Sequence, residues 1–178
     1  ARTLKTQYYD PSVTRVVRAV VQNEWPAVIT DQTQRKYYLI SVKQAFKGCA
    51  KPSRVWISTG SNSALCGVSL NVGSEYLLFL TGSGPGLSIF LCYSNTLFKS
   101  LSPSDLAFLN SRNVCCGNVC NCASGKPPVR CIRQPCSPPE KAPCASAVKC
   151  KDNYCSGCKA EWFDNADLPA CAAPNPVA

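Results

Sequence analysis

The cysteine residues constrain this chain more than any other feature of its sequence. Fourteen of its 178 residues are Cys, and eleven of these fall between residues 115 and 171. The count is even, and such a thiol content indicates a disulfide-rich protein of an oxidising, extracellular compartment. No apolar run is long enough to span a membrane. We therefore predict a secreted protein, and from the start at Ala1, without Met or a visible signal peptide, we expect a mature or trimmed form.

The chain contains no histidine. This excludes the Ser-His-Asp and Cys-His arrangements of nucleophilic catalysis, and it excludes zinc sites that use His. Acidic residues are few and do not cluster in pairs. We therefore predict that the protein is not an enzyme and that it has no catalytic residue, no metal site and no cofactor.

Positive charge is concentrated in the first third of the chain. The formal net charge is +9, and residues 1–54 carry ten Lys and Arg against three acidic residues. Such a surface suits acidic partners, among them sulfated glycans, an acidic protein or nucleic acid, and it also simply keeps a protein soluble. An extracellular location argues against nucleic acid. The predicted basic face consists of Arg15, Arg18, Arg35, Lys36, Lys43, Lys47, Lys51 and Arg54.

Residues 1–113 hold only three cysteines and a succession of strand patterns. Residues 13–21 are rich in β-branched side chains, and Tyr38, Ile40 and Val42 alternate onto one face of residues 36–46. Further strands are expected at 54–58, 66–70, 75–82 and 87–93, with short turns between them. Strands of this number and spacing favour a mainly β fold, a closed or nearly closed barrel of five or six strands.

A helix is predicted after the barrel, in the stretch SLSPSDLAFLNSR at residues 100–112. Ser102 suits the N-cap, Pro103 the first helical position and Asp105 the first turn. Composition then changes at NVCCGNVCNC, residues 113–122. We predict two domains: residues 1–116 form the barrel, and residues 117–178 form a small Cys- and Pro-rich module that disulfides stabilise.

The first domain resembles a known family in several motifs. SALCGVSL at residues 63–70, YLL at 76–78 and LCYSNTLFKSLSPSDLAFLNSR at 91–112 are similar to the netrin-like domain of the tissue inhibitors of metalloproteinases (TIMPs). The resemblance covers most of residues 13–116 and implies an OB-like, five-stranded barrel. The cysteine-rich part departs from the family, whose C-terminal domain has six cysteines in another spacing. By resemblance, one rim of an inhibitory ridge is the loop Ser63, Ala64, Leu65, Cys66 and Gly67.

The family's ridge also needs a mature N-terminus of sequence Cys-x-Cys. Its first amino group and carbonyl chelate the catalytic zinc of the proteinase, and two disulfides hold it rigid. The resemblance places the partners of those two cysteines at Cys66 and Cys92. This chain begins ARTLKTQ instead. The motif is therefore either absent from the protein or located just upstream of Ala1.

Without that motif, the barrel cysteines need other partners. Cys49 and Cys66 flank the strand at 54–58, and we predict that they pair, while Cys92 pairs with Cys115 or Cys116. Those two neighbours are expected to diverge, one into each half. The Cys-x-x-C of Cys155 and Cys158 is interpreted as two disulfide halves in preference to a redox motif or half of a zinc knuckle.

The functional expectation follows from the missing motif. We predict a secreted TIMP-like protein that acts as a protein-binding or structural component of the extracellular matrix. Its expected partners are extracellular proteins, sulfated glycans on the basic face, and other chains joined through disulfides. The alternative is a genuine metalloproteinase inhibitor whose Cys-x-Cys lies just upstream of Ala1.

Overall fold

The computed structural model describes residues 3–26, 34–49, 53–116, 119–137, 141–155 and 157–171. The described residues form two helices, nine strands and three 3₁₀ turns, which lie at Ser63–Leu65, Gly84–Gly86 and Phe98–Ser100. Among the described residues, no helix is long and apolar enough to cross a membrane. In chain order the elements are α1 (Leu4–Tyr8), β1 (Val13–Trp25), β2 (Arg35–Lys47), β3 (Arg54–Gly60), β4 (Glu75–Thr81), β5 (Thr96–Leu97), α2 (Pro103–Asn110), β6 (Asn113–Cys116), β7 (Val119–Cys122), β8 (Lys149–Asn153) and β9 (Lys159–Phe163).

The first five strands form one antiparallel sheet in the order β3-β2-β1-β4-β5. Residues 87–89 form backbone hydrogen bonds to both β4 and β3, so that the hydrogen bonding continues from one of these strands to the other. Ser88 exchanges two backbone hydrogen bonds of 3.0 Å with Thr81, and Ser58 bonds to Leu87 and Ile89 at 2.9 Å. The predicted mainly β fold with a five-stranded sheet is therefore confirmed. The OB-like connectivity implied by the resemblance stays a prediction.

Two apolar cores lie on either side of β4, which explains why this strand is apolar throughout. Tyr76, Leu78 and Leu80 point into the sheet interior, where they join residues of β1, β2 and β3. Leu77 and Phe79 point the other way, into a second core beneath the helices. That second core comprises Tyr8, Val13, Val16, Phe46, Leu77, Phe79, Leu109 and Ala123.

Two of the predicted strands are not strands in the structure. In residues 66–70, backbone N–H groups bond to side chains: Val68 N donates to Thr59 Oγ1 (3.0 Å) and Leu70 N to Tyr38 Oη (3.1 Å). In residues 87–93, ladder pairing is limited to isolated bridges at Ser88. Part of the apolar pattern reflects burial, of Val68, Leu70, Leu87 and Ile89, and burial alone does not specify a ladder.

The predicted helix is present as α2. Ser102 caps it, since its hydroxyl accepts a 3.1 Å hydrogen bond from Asp105 N, and Pro103 is the first helical residue. No sequence pattern indicated α1, a five-residue helix that Thr3 caps. Helices this short are stabilised by packing rather than by their own propensity.

The prediction that Cys49 pairs with Cys66 is wrong. Cys49 bonds to Cys116, with Cα atoms 4.9 Å apart. The two predicted partners flank β3, and a seven-residue strand is roughly 20 Å long, so residues that flank it lie at opposite ends of the sheet. Cys66 and Cys92 are both free and exposed. The predicted bond of Cys92 to Cys115 or Cys116 is therefore also wrong.

Five disulfides hold the cysteine-rich part. The neighbours Cys115 and Cys116 diverge, since Cys115 closes the β6–β7 hairpin by bonding to Cys120. Cys155 and Cys158 each belong to a different bridge rather than to each other. The four remaining bridges are Cys122–Cys155, Cys131–Cys158, Cys136–Cys150 and Cys144–Cys171. The proposed domain boundary at Gly117 lies outside the described residues and stays a prediction.

Candidate functional site

The loop after β3 is a compact turn that hydrogen bonds hold from within. The side chain of Asn62 accepts from Leu65 N (3.1 Å), and the Asn62 carbonyl accepts from Gly67 N (2.8 Å). Cys66 ends the 3₁₀ turn in the left-handed region, with φ of 53°. The backbone of the loop is therefore fixed, while the side chains of Ser63, Ala64, Leu65 and Cys66 are exposed.

Two glycines let this loop lie directly on the end of β3. A Cβ atom at Gly67 would stand 2.2 Å from the carbonyl oxygen of Gly60, and one at Gly60 would stand 2.3 Å from that of Leu65. Only glycine allows such close approach of two backbones. The predicted rim residues therefore form a preorganised edge, which reduces the entropic cost of binding a partner.

Cys92 lies at the same edge as Cys66. The backbone N–H of Leu91, its neighbour in sequence, donates a 2.9 Å hydrogen bond to the carbonyl of Cys66. Both thiols are exposed, and the other twelve cysteines of the chain are all in disulfides. The fold thus brings together two exposed free cysteines that are 26 residues apart in sequence.

The N-terminal helix is fastened beside Cys92. The buried side chain of Gln7 donates from Nε2 to Ser94 Oγ (2.9 Å) and accepts from Ser94 N at 2.6 Å. Ser12 and Tyr93 add a contact between their hydroxyls at 2.5 Å. These contacts hold the start of the chain against the segment that contains Cys92, an arrangement that the sequence did not reveal.

Exposed apolar side chains flank the two thiols. Leu65 is 45 % exposed and Leu91 is 57 % exposed, and Phe90 also reaches the surface. Leu65 and Phe90 line a cleft of about 390 Å³ that extends to Arg35 and Tyr37 on β2. Clustered apolar surface of this kind is typical of protein-binding sites. Leu91 and Phe90 were missed because their apolar run was assigned to a buried strand.

Three of the predicted basic residues are engaged in internal contacts. Arg18 Nη2 donates to Glu75 Oε2 (2.9 Å), and Lys36, largely buried, pairs with Glu24 at 2.8 Å. Lys47 Nζ donates to the backbone carbonyl of Tyr8 (2.7 Å), and burial lowers the pKa of this lysine. These three cations therefore contribute to the stability of the barrel rather than to a shared binding face.

The remaining cations are divided between locations. Arg15 is half-buried, and Lys51 lies outside the described residues. Arg35 and Lys43 lie on the outward-facing positions of β2, and Arg54 lies on those of β3. The predicted basic face is thus replaced by a smaller set of exposed cations on the outer face of these strands.

The described residues contain no group of three or more His, Cys, Asp or Glu side chains that could hold a metal ion. The family model described as "Tissue inhibitor of metalloproteinase" matches residues 12–167. The match includes most of the cysteine-rich part, where the motif resemblance was weak. A search of the curated proteins finds no significant match.

Proposed function

Because the chain belongs to the family of the tissue inhibitors of metalloproteinases, we propose that it is a secreted metalloproteinase inhibitor that binds through the Cys66–Cys92 edge. The observation that carries this proposal is the pair of free thiols. Six disulfides use twelve of the fourteen cysteines, and the two left over stand at one edge. Members of the family are inhibitors rather than enzymes, which agrees with the absence of histidine.

The two thiols are anchors for a Cys-x-Cys segment that precedes Ala1. Exposed thiols in an oxidising compartment exchange or become oxidised unless they are bonded. The Gln7–Ser94 contact already holds the start of the chain near Cys92, and an extended chain covers roughly 3.3–3.6 Å per residue. A segment N-terminal to α1 therefore needs only a few extended residues to reach this edge.

The rest of the edge supplies the apolar contact area of the inhibitor. Leu65, Phe90 and Leu91 surround the thiols, and the loop that carries Leu65 is held by backbone contacts. Truncation of a side chain that is packed at the centre of a protein interface typically lowers the binding affinity more than truncation at the rim does. The zinc ion that the inhibitor engages belongs to the proteinase, so the protein needs no metal or cofactor of its own.

A second candidate function is a matrix component without inhibitory activity. The same thiols favour it, because exposed cysteines on two copies of the chain can exchange into inter-chain disulfides. The two candidates differ in what Cys66 and Cys92 bond to: cysteines of the same chain upstream of Ala1 for the inhibitor, and cysteines of another chain for the matrix component.

The test is to map the disulfides of the natural protein by mass spectrometry, together with its N-terminal sequence. We expect both thiols to be bonded to an upstream Cys-x-Cys, and we expect stoichiometric inhibition of a matrix metalloproteinase in a peptide-cleavage assay. The chain that begins at Ala1 is the matched control, with two titratable thiols and weak or no inhibition. A natural protein that starts without Cys-x-Cys, or that is linked between chains, would refute the inhibitor proposal.

A further inference from the structure

Three aromatic side chains stand side by side on the outer face of the barrel. Trp25 of β1, Tyr37 of β2 and Trp56 of β3 line an open groove of about 430 Å³, together with Asn23. The rings of Trp25 and Tyr37 have centroids 5.8 Å apart, and Trp25 is 61 % and Trp56 44 % exposed. We call this set the aromatic groove.

The aromatic groove does not contribute to the core. Strand alternation directs Tyr38, Ile40 and Ile57 inwards, where they are fully buried, and it directs the groove residues outwards. Trp25 lies opposite Tyr37 in the sheet register, so the rings are neighbours because of strand pairing. Large aromatic side chains left in water on one surface are typical of a binding site.

Cations flank the aromatic groove on the same face. Arg35 lies two residues before Tyr37, and Arg54 lies two residues before Trp56, while Lys43 continues the outward row of β2. All three are exposed, and none forms an ion pair with a described acidic residue. Arg35 donates to Ser58 Oγ at 3.2 Å. Glu24, the neighbour of Trp25 in sequence, is paired with Lys36. Among the described residues, the face is therefore aromatic and cationic without a competing carboxylate.

We propose that this face binds an acidic polysaccharide, a chain of sugar rings that carry sulfate or carboxylate groups. The C–H bonds on the flat side of a pyranose ring carry partial positive charge, and they stack on the negative face of Trp and Tyr rings. The amide of Asn23 both donates to and accepts from sugar hydroxyls. Arg35 and Arg54 hold the anionic groups through paired N–H donors.

The spacing of the cations requires an extended ligand. Arg35 and Lys43 are eight residues apart on one strand, which corresponds to roughly 26 Å. The aromatic groove lies between them, so a ligand that satisfies all three cations must present rings and charges along its length. A polysaccharide does so by its repeating structure. This site adjoins the Cys66–Cys92 edge, because Arg35 and Tyr37 also line the cleft that Leu65 and Phe90 form there.

The tryptophan residues provide the test. The chain has three, and Trp162 lies on β9 in the cysteine-rich part, away from the groove. Heparin octasaccharide is titrated into the full chain with its thiols alkylated, at physiological salt, while tryptophan emission is recorded. We expect the emission to change on binding and the change to persist in W162F. The double variant W25A/W56A lacks both groove tryptophans, so its affinity is measured by isothermal titration calorimetry, and we expect it to bind at least about tenfold more weakly than the parent.

Variants of the charged residues distinguish stacking of sugar rings on the aromatic groove from electrostatic attraction alone. R35Q/R54Q is expected to bind about tenfold more weakly, and K126Q/K141Q, which removes two exposed cations of the cysteine-rich part, is expected to change affinity less than about twofold. Unchanged circular dichroism establishes that each variant is folded. If W25A/W56A binds heparin as the parent does, attraction to charge alone accounts for binding and the proposal is wrong. Absence of binding at physiological salt would also overturn it and leave the groove to a protein partner.

Discussion

At the scale of single residues, Tyr8 shows how a buried polar group fastens the N-terminal helix. Its hydroxyl donates a 2.7 Å hydrogen bond to the carbonyl of Phe46, and its ring packs edge to face against Tyr9 and Phe108. Burial raises the pKa of Tyr8 far above its ordinary value, because the phenolate would be charged in apolar surroundings. The positive charge of Arg112 offsets only part of this effect.

This shift predicts a dependence of stability on alkaline pH. The pKa of Tyr8 is higher in the folded than in the unfolded chain, so its contribution to stability is complete below pH 10 and is lost as the pH rises towards the folded value. We expect Y8F to be about 1 kcal/mol less stable at neutral pH. The difference between parent and variant should shrink above pH 10.

Urea unfolding between pH 7 and pH 11 measures this difference. The thiols of Cys66 and Cys92 must be alkylated first, because thiolates attack disulfides at high pH. Lys47 has a lowered pKa and acts in the opposite direction, but it is present in both proteins and cancels in the comparison. A difference that grows with pH would contradict the assignment.

At the scale of elements, local patterns predicted the parts whose stability is local. Alternation placed β2 correctly because its buried side chains follow a strict period of two, and α2 followed from its cap. The segments at 66–70 and 87–93 are not the strands that their patterns predict, because their backbone groups pair with side chains or through single bridges. Disulfide pairing was beyond sequence reasoning, since Cys49 meets Cys116 only through the packing of β2 against β6.

The rim loop offers a prediction at this same scale. In G67A, the new Cβ would meet the carbonyl oxygens of Gly60 and Asn62, both of them backbone atoms that cannot move independently. We expect the free energy of unfolding to fall by about 1–3 kcal/mol. We also expect the loop to become more susceptible to proteases. Thermal unfolding and limited proteolysis measure these two effects.

Gly86 provides the matched control. It ends the 3₁₀ turn Gly84–Gly86, much as Gly67 follows the turn Ser63–Leu65, but a Cβ at Gly86 would meet nothing within 4 Å. G86A should therefore unfold within about 0.5 kcal/mol of the parent. Equal behaviour of the two alanine variants would show that the rim is not held by close backbone contact.

At the scale of the whole molecule, both disulfides and polar contacts join the two halves, the barrel and the cysteine-rich part. Cys49, just after β2, bonds to Cys116 of β6, and Cys115 closes the β6–β7 hairpin by bonding to Cys120. The β8–β9 hairpin is joined to the barrel by Arg112, which is buried next to α2 and forms two hydrogen-bonded contacts with Glu161 on β9, at 2.8 and 3.0 Å. Arg112 also donates to Tyr9 Oη at 2.8 Å.

Glu161 and Asn153 complete this junction. Asn153 donates to Glu161 Oε1 (2.8 Å) and to the carbonyl of Ser111 (3.0 Å), so it contacts both halves. Tyr9 and Phe163 add an edge-to-face ring contact with centroids 5.6 Å apart. The junction thus holds the cysteine-rich part against the same α1 helix whose Gln7 is fastened beside Cys92, and it links the stability of the two halves.

We therefore predict that E161Q uncouples the halves. The substitution preserves shape but leaves the guanidinium of Arg112 buried without a counter-charge, so we expect a loss of about 1–3 kcal/mol in the free energy of unfolding. D167N removes a carboxylate that pairs with Lys149 and Lys151 at the surface, and it should have no measurable effect, because such exposed pairs contribute little. Urea unfolding is monitored by the emission of Trp162, in a W25F/W56F background that removes the other two tryptophans, and by far-UV circular dichroism, which reports mainly on the barrel. Coincident transitions in the parent and separated transitions in E161Q are the expected result, while an E161Q variant that unfolds like D167N would place the coupling elsewhere.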